Sequence, residues 1–101
     1  MDKAIKMTED LLNLDPKSLR YLTLSGRVLY RNKSYRLAER KFKKALLYGG
    51  ENNANTLEQY GDLLYKMNKF EAAINYWKSA LKVGGGSDLL PNKIDKKQLL
   101  E

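Results

Sequence analysis

The sequence predicts an all-α domain of stacked antiparallel helix–turn–helix repeats, with about six helices over residues 1–101. Residues 19–50 reappear in altered form at 54–85, and such a fixed period is typical of small units that bury their apolar faces against one another. Apolar residues also recur at helical spacing almost throughout. An offset of 35 superimposes Leu22 on Leu57, Gly26 on Gly61, Leu29 on Leu64, Tyr30 on Tyr65, Ala38 on Ala73 and Ala45 on Ala80.

Helix starts and stops divide the chain into short elements. Asp15-Pro16 suits a helix start, because aspartate is a favourable N-cap and proline is tolerated in the first turn. Thr56 and Gln59 offer a capping box for a later helix. Glycine runs end two other helices, since glycine readily adopts the left-handed conformation at a helix C-terminus. The predicted helices span residues 3–14, 16–31, 35–48, 54–67, 70–83 and 87–100, the last beginning properly near Pro91.

These elements group into one helical-repeat domain. Its predicted parts are a half repeat at 3–15, full repeats at 16–50 and 54–86, and a C-terminal capping helix at 87–101. In each full repeat a glycine precedes an alanine by twelve residues, as in Gly26 with Ala38 and Gly61 with Ala73. We expect both pairs where two helices cross closely, because a larger side chain there would push the helices apart.

The two full repeats share a pattern of large, small and aromatic residues. It comprises Leu22, Gly26, Leu29, Ala38, Phe42 and Ala45 in the first repeat and Leu57, Gly61, Leu64, Ala73, Trp77 and Ala80 in the second. This pattern resembles that of the tetratricopeptide-repeat (TPR) family over about residues 3–86, although no Trp opens either unit and glycine replaces the closing Pro. The resemblance implies a TPR-like α-solenoid that binds other proteins.

The composition argues against catalysis and against a membrane span. Without His or Cys, the chain lacks an imidazole base, a thiolate nucleophile and the commonest transition-metal ligands. No uncharged apolar stretch reaches the length of about 18 residues that a membrane span requires. Glu58 and Asp62 could together hold a divalent ion, but solvation or pairing with cations of the neighbouring helix is the favoured interpretation. We therefore predict a non-enzymatic protein without cofactor or metal, cytoplasmic if the chain is complete and of undetermined location if it is a fragment.

The TPR resemblance also implies a concave groove lined by first-helix residues that face away from the second helix. Carried over by position, these residues are Arg20, Thr23, Arg27, Tyr30, Arg31, Asn55, Glu58, Asp62, Tyr65 and Lys66. Arginines interleaved with tyrosines suit an acidic peptide, because guanidinium groups bind carboxylates bidentately and Tyr packs with little loss of entropy. In the competing interpretation, Arg27 pairs with Glu58 or Asp62, so that part of this charge is neutralised within the fold.

The net charge of +7 is concentrated in the first full repeat. Residues 19–50 carry nine Lys and Arg residues against Glu39 alone. A basic stripe on the second helix of this repeat comprises Arg36, Arg40, Lys43 and Lys44. This stripe is either an ordinary solvated face, which is the commoner case, or a surface for nucleic acid or another polyanion. The leading hypothesis is therefore an interaction scaffold for an acidic protein or peptide, with nucleic acid as the alternative partner and self-association through the terminal helices left open.

Overall fold

The computed structural model describes residues 2–100, and within this range it contains helices and no strand. The six α-helices are α1 (Asp2–Leu14), α2 (Leu19–Arg31), α3 (Tyr35–Leu47), α4 (Ala54–Lys66), α5 (Phe70–Val83) and α6 (Leu90–Lys96), with a short 3-10 helix at Gly50–Asn52. The all-α class is confirmed. The predicted ranges 1–101 and 87–101 reach Met1 and Glu101, which lie outside the described residues.

The predicted start of α2 is wrong. Ser18 is its N-cap, because the Ser18 hydroxyl accepts a hydrogen bond from the Tyr21 amide at 3.1 Å. Asp15 instead belongs to the end of α1, since its amide donates to the Leu11 carbonyl at 3.0 Å in the helical pattern. The Asp15 carbonyl accepts a hydrogen bond from the Ser18 amide at 3.2 Å, so the chain turns between the two helices before Ser18 caps α2.

The predicted capping box of α4 is also wrong. Asn53 is the N-cap, and its side-chain oxygen accepts a hydrogen bond from the Thr56 amide at 3.0 Å. Gln59 does not reach back to the helix start but donates from its amide nitrogen to the Asn55 side-chain oxygen at 2.8 Å. Asparagine places its acceptor ahead of the first turn, where the free backbone amides need it.

The C-terminal helix is shorter than predicted, spanning Leu90–Lys96 rather than 87–100. Pro91 lies in its first turn, where a missing backbone N–H costs nothing. Lys97 closes it in the left-handed conformation at φ 52°. Glycines 84–86 all have positive φ, so the helical backbone of α5 cannot continue into α6.

The chain divides into two compact units, unit 1 up to Gly50 and unit 2 from Glu51. In unit 1, α2 and α3 form a hairpin and α1 packs against α2. In unit 2, α4 and α5 form the equivalent hairpin and α6 packs against α5. The hairpin turns have matching geometry, because Lys33 and Asn68 both adopt a left-handed conformation at φ 64°.

Each hairpin closes around an aromatic ring that rests on a glycine. In unit 1, a Cβ placed on Gly26 would lie 2.9 Å from the ring of Phe42. In unit 2, a Cβ placed on Gly61 would lie 2.5 Å from Trp77 Cδ1 and 3.0 Å from the carbonyl oxygen of Ala73. Gly61 and Ala73 therefore meet at a close helix crossing, as the sequence predicts.

We expect Gly61→Ala to lower the free energy of unfolding by about 1–3 kcal/mol, because the new methyl group overpacks a site closed by a fully buried indole. Contacts of 2.5 Å to Trp77 and 3.0 Å to the backbone oxygen of Ala73 place the loss in the upper part of this range, where it outweighs the gain of about 1 kcal/mol in helix propensity. Urea unfolding measures the effect, with Asn75→Ala on the exposed side of α5 as the control. A Gly61→Ala protein as stable as the wild type would contradict the close crossing.

Candidate functional site

The predicted groove residues of unit 1 lie on α2 and differ in exposure. Those that are exposed are Arg20, Arg27 and Arg31. Thr23 is only 7% exposed and offers little surface for a partner. Tyr30 is half-buried, and its ring centroid lies 6.0 Å from that of Tyr35 across the hairpin. The accessible part of this set is therefore a basic face of three arginines, which we call the α2 arginine face.

The predicted groove residues of unit 2 lie on α4, and only two of them are exposed. Asn55 and Lys66 are open to solvent at opposite ends of the helix. Tyr65 is half-buried, because its ring stacks on Trp77 at 5.7 Å and meets the edge of Phe70 at 4.8 Å. Tyr65 thus contributes mainly to the packing of α4 against α5.

Glu58 and Asp62 do not line an open surface, because α6 brings Lys93 to them. The Lys93 ammonium nitrogen lies 2.7 Å from Glu58 Oε2 and 2.9 Å from Asp62 Oδ1. The side chains of Lys93, Glu58 and Asp62 are 4%, 6% and 18% exposed, respectively. Lys93, rather than Arg27, is therefore the cation that the structure pairs with these carboxylates. We call these three residues, with Ser87 and Trp77, the Lys93 cluster.

Further donors satisfy the two carboxylates of the Lys93 cluster. The Ser87 amide donates to Glu58 Oε1 at 2.6 Å, and the Ser87 hydroxyl donates to Glu58 Oε2. Trp77 Nε1 donates to Asp62 Oδ1 at 3.0 Å, and the Lys93 ammonium lies 5.9 Å from the centroid of the same indole. Each carboxylate thus has two donor residues, as buried charges require.

The environment of the Lys93 cluster shifts the pKa of all three charged groups. Burial raises the pKa of Asp62 to about 6, because desolvation of the carboxylate outweighs the hydrogen bonds from Lys93 and Trp77. Burial alone would also raise the pKa of Glu58, but hydrogen bonds from Lys93 and Ser87 hold it below its ordinary value. Burial would lower the pKa of Lys93, whereas its bonds to both carboxylates hold it above its ordinary value.

Sequence reasoning missed Lys93 and Ser87 as partners of the acidic pair. Both residues fall within the predicted capping helix at 87–101. Glu58 and Asp62 stand one helical turn apart on the predicted helix 54–67. That spacing indicates a shared cation but does not identify it. The choice of Lys93 depends on how α6 packs, which the sequence pattern leaves open.

The basic stripe lies on α3 and is accessible along its whole length. Its members, all exposed, are Arg36, Arg40, Lys43 and Lys44. Lys41, which falls between them in sequence, points elsewhere and lies 3.4 Å from Glu9 of α1. The α3 stripe and the α2 arginine face are thus two separate basic surfaces of unit 1.

Neither a metal cluster nor a membrane helix is found in the part of the chain that the structure describes. Over residues 2–100, no group of three His, Cys, Asp or Glu side chains is arranged to hold a metal ion. None of the described helices is long and apolar enough to cross a membrane.

The structure is similar to solved TPR domains. It matches the NMR structure of the first TPR domain of the human RPAP3 protein with a TM-score of 0.86 and 19% identity, over 95% of this chain and 75% of that one. It also matches the N-terminal domain of stress-induced protein-1 (STI-1) from C. elegans with a TM-score of 0.74 and 17% identity, over 89% of this chain and 75% of that one. No protein-family model and no curated protein sequence matches. The chain therefore has the TPR fold that its repeats predict.

Lowering the pH from about 7 to about 5 should stabilise the wild-type protein relative to Asp62→Asn by about 1 kcal/mol. The folded chain takes up a proton at Asp62 near its pKa of about 6, whereas the unfolded chain does so near 3.8, so protonation in this range favours folding. Glu58 does not interfere, because its lowered pKa keeps it charged throughout.

Urea unfolding of both proteins at the two pH values measures this difference. If the stability difference between wild type and Asp62→Asn is the same at both pH values, the raised pKa of Asp62 is wrong.

Proposed function

We propose, starting from the TPR fold, that the chain is a non-enzymatic protein–protein interaction scaffold that binds an acidic peptide or partner subunit. The observation that carries the proposal is the α2 arginine face. Arg20, Arg27 and Arg31 are exposed and stand at spacings of seven and four, which keeps them on one side of α2. Guanidinium groups present paired N–H donors that match the two oxygens of a carboxylate.

The fold supports this class of function because repeats of stacked helical hairpins offer extended surfaces to a partner. In TPR proteins the first helix of each unit lines a concave groove, and the proposal places the α2 arginine face there. Tyr30, Asn55, Tyr65 and Lys66 are further candidates. Thr23, Glu58 and Asp62 carry less weight, since burial limits their contact with a partner.

The chemistry of the chain supports binding rather than catalysis. The chain has no His and no Cys to act as base or nucleophile. Its best pair of carboxylates, Glu58 and Asp62, is already held by Lys93 and by hydrogen bonds from Ser87 and Trp77.

Replacing Arg27 and Arg31 together by Glu should reduce capture of acidic partners by about tenfold or more, because charge-assisted hydrogen bonds of roughly 1.5–3 kcal/mol each become repulsions. The measurement is quantitative mass spectrometry of proteins retained from a cell extract, with helical content checked by circular dichroism.

The matched control is Lys78→Glu with Lys82→Glu, which makes the same charge change at exposed positions of α5. If the control loses the same proteins as the Arg27 and Arg31 variant, capture follows net charge and not the α2 arginine face. If both variants capture the same proteins as the wild type, the α2 arginine face is not the binding surface.

A second candidate function, polyanion binding, is favoured by the exposure of all four residues of the α3 stripe. Four lysine and arginine contacts to a nucleic-acid backbone would make the affinity fall by about 100-fold between roughly 50 and 200 mM salt. Gel shifts with unrelated RNA and DNA measure this dependence.

Arg40→Glu with Lys44→Glu should weaken such binding, whereas the Arg27 and Arg31 variant tests whether α2 contributes. If no shift occurs even at the lower salt concentration, the chain is not a nucleic-acid binder.

A further inference from the structure

α6 is attached to unit 2 through few side chains. Leu90 and Lys93 are its buried residues, at 0% and 3% exposure, and Ile94 is half-buried. The remaining residues of this seven-residue helix are exposed. Because so short a helix is not stable by itself, α6 depends on what these few side chains contact.

The connection between α5 and α6 is suited to movement. Residues 84–89 are all exposed, and Gly84, Gly85 and Gly86 have φ values of 92°, 137° and 85°. Glycine adopts such backbone conformations readily and changes them at little cost. Rotation at these glycines would let α6 leave its place without unwinding α5, once Ser87 also releases its two hydrogen bonds to Glu58.

Departure of α6 would leave Glu58 and Asp62 without their cation. The Lys93 ammonium donates to Glu58 Oε2 at 2.7 Å and to both oxygens of Asp62 at 2.9 and 3.1 Å. Removing one partner of a buried ion pair is strongly unfavourable, because the remaining charge is left uncompensated. The acidic pair therefore selects an occupant that brings a cation.

We propose that Glu58 and Asp62 form a binding site for a lysine side chain, that Lys93 is its internal occupant, and that a basic partner segment replaces α6 there. This site is acidic and lies in unit 2, so it is independent of the α2 arginine face and of its acidic partner.

The contacts of α6 define the partner that the site accepts. Three acceptor oxygens surround one nitrogen, which suits an ammonium with its three N–H donors better than a planar guanidinium. Leu90, three residues before Lys93, supplies the apolar contact, since its side chain is fully buried. The expected ligand is therefore a segment with a leucine three residues before a lysine.

A synthetic peptide with the sequence of residues 87–99 is the probe, and the same peptide with Met in place of Lys93 is its control. Both are titrated into the 101-residue chain. Trp77 reports binding without a label, because it is the single tryptophan and its indole borders the site.

The Lys93→Met chain should bind the lysine peptide at least about tenfold more tightly than the wild type, because its own α6 no longer competes. The Met peptide should bind this chain about 100-fold more weakly than the lysine peptide, since it brings no cation to the carboxylates. The Leu90→Ser chain frees α6 while it keeps every charge, so it provides the same test if Lys93→Met does not fold. Circular dichroism establishes which variants are folded.

Equal binding of the two peptides, or equal binding of the lysine peptide by wild-type and variant chains, would overturn the proposal. Sedimentation identifies the competing occupant: a dimeric chain that takes up no peptide would assign the site to α6 of a second copy.

Discussion

The contact between the Trp77 indole and the backbone of Gly61 organises unit 2. It lets α4 and α5 approach closely, because glycine leaves room for a ring that is fully buried. The same indole stacks on the ring of Tyr65 and donates its N–H to the carboxylate of Asp62. Apolar packing and the position of a buried carboxylate thus depend on one side chain, which explains why a tryptophan rather than a phenylalanine suits this unit.

The position of Asp62 in turn determines what α6 can do. Two carboxylates one helical turn apart are stable inside a protein only with a cation and enough donors. Lys93, Ser87 and Trp77 meet this need from three different parts of unit 2. Such a network holds α6 in one register, whereas apolar contact alone would permit several. In unit 1 the third helix is α1, which packs against α2 rather than α3, and the exposed basic residues lie on the α2 arginine face and the α3 stripe.

Most of the fold follows from local sequence, whereas the Lys93 cluster does not. Apolar periodicity and glycine stops predict α5 at Phe70–Val83 as observed. The start of α2 is predicted wrongly because Asp15 and Ser18 are both favourable N-cap residues and lie within one turn of each other. Hydrogen bonding in the folded chain decides between them. The exposure of the α2 arginines follows from their spacing. The pairing of Lys93 with Glu58, 35 residues away, depends on tertiary packing that no local pattern encodes.

The short hairpin turns have a kinetic consequence. Helices joined by three residues make most of their contacts with close neighbours in sequence, which favours rapid formation of each hairpin. α6 can dock through Lys93 only after α4 has brought its two carboxylates together, so its docking follows the formation of α4. Because α6 docks late and is joined to α5 by three glycines, its amide hydrogens should exchange with solvent before those of α4 and α5 in the native chain.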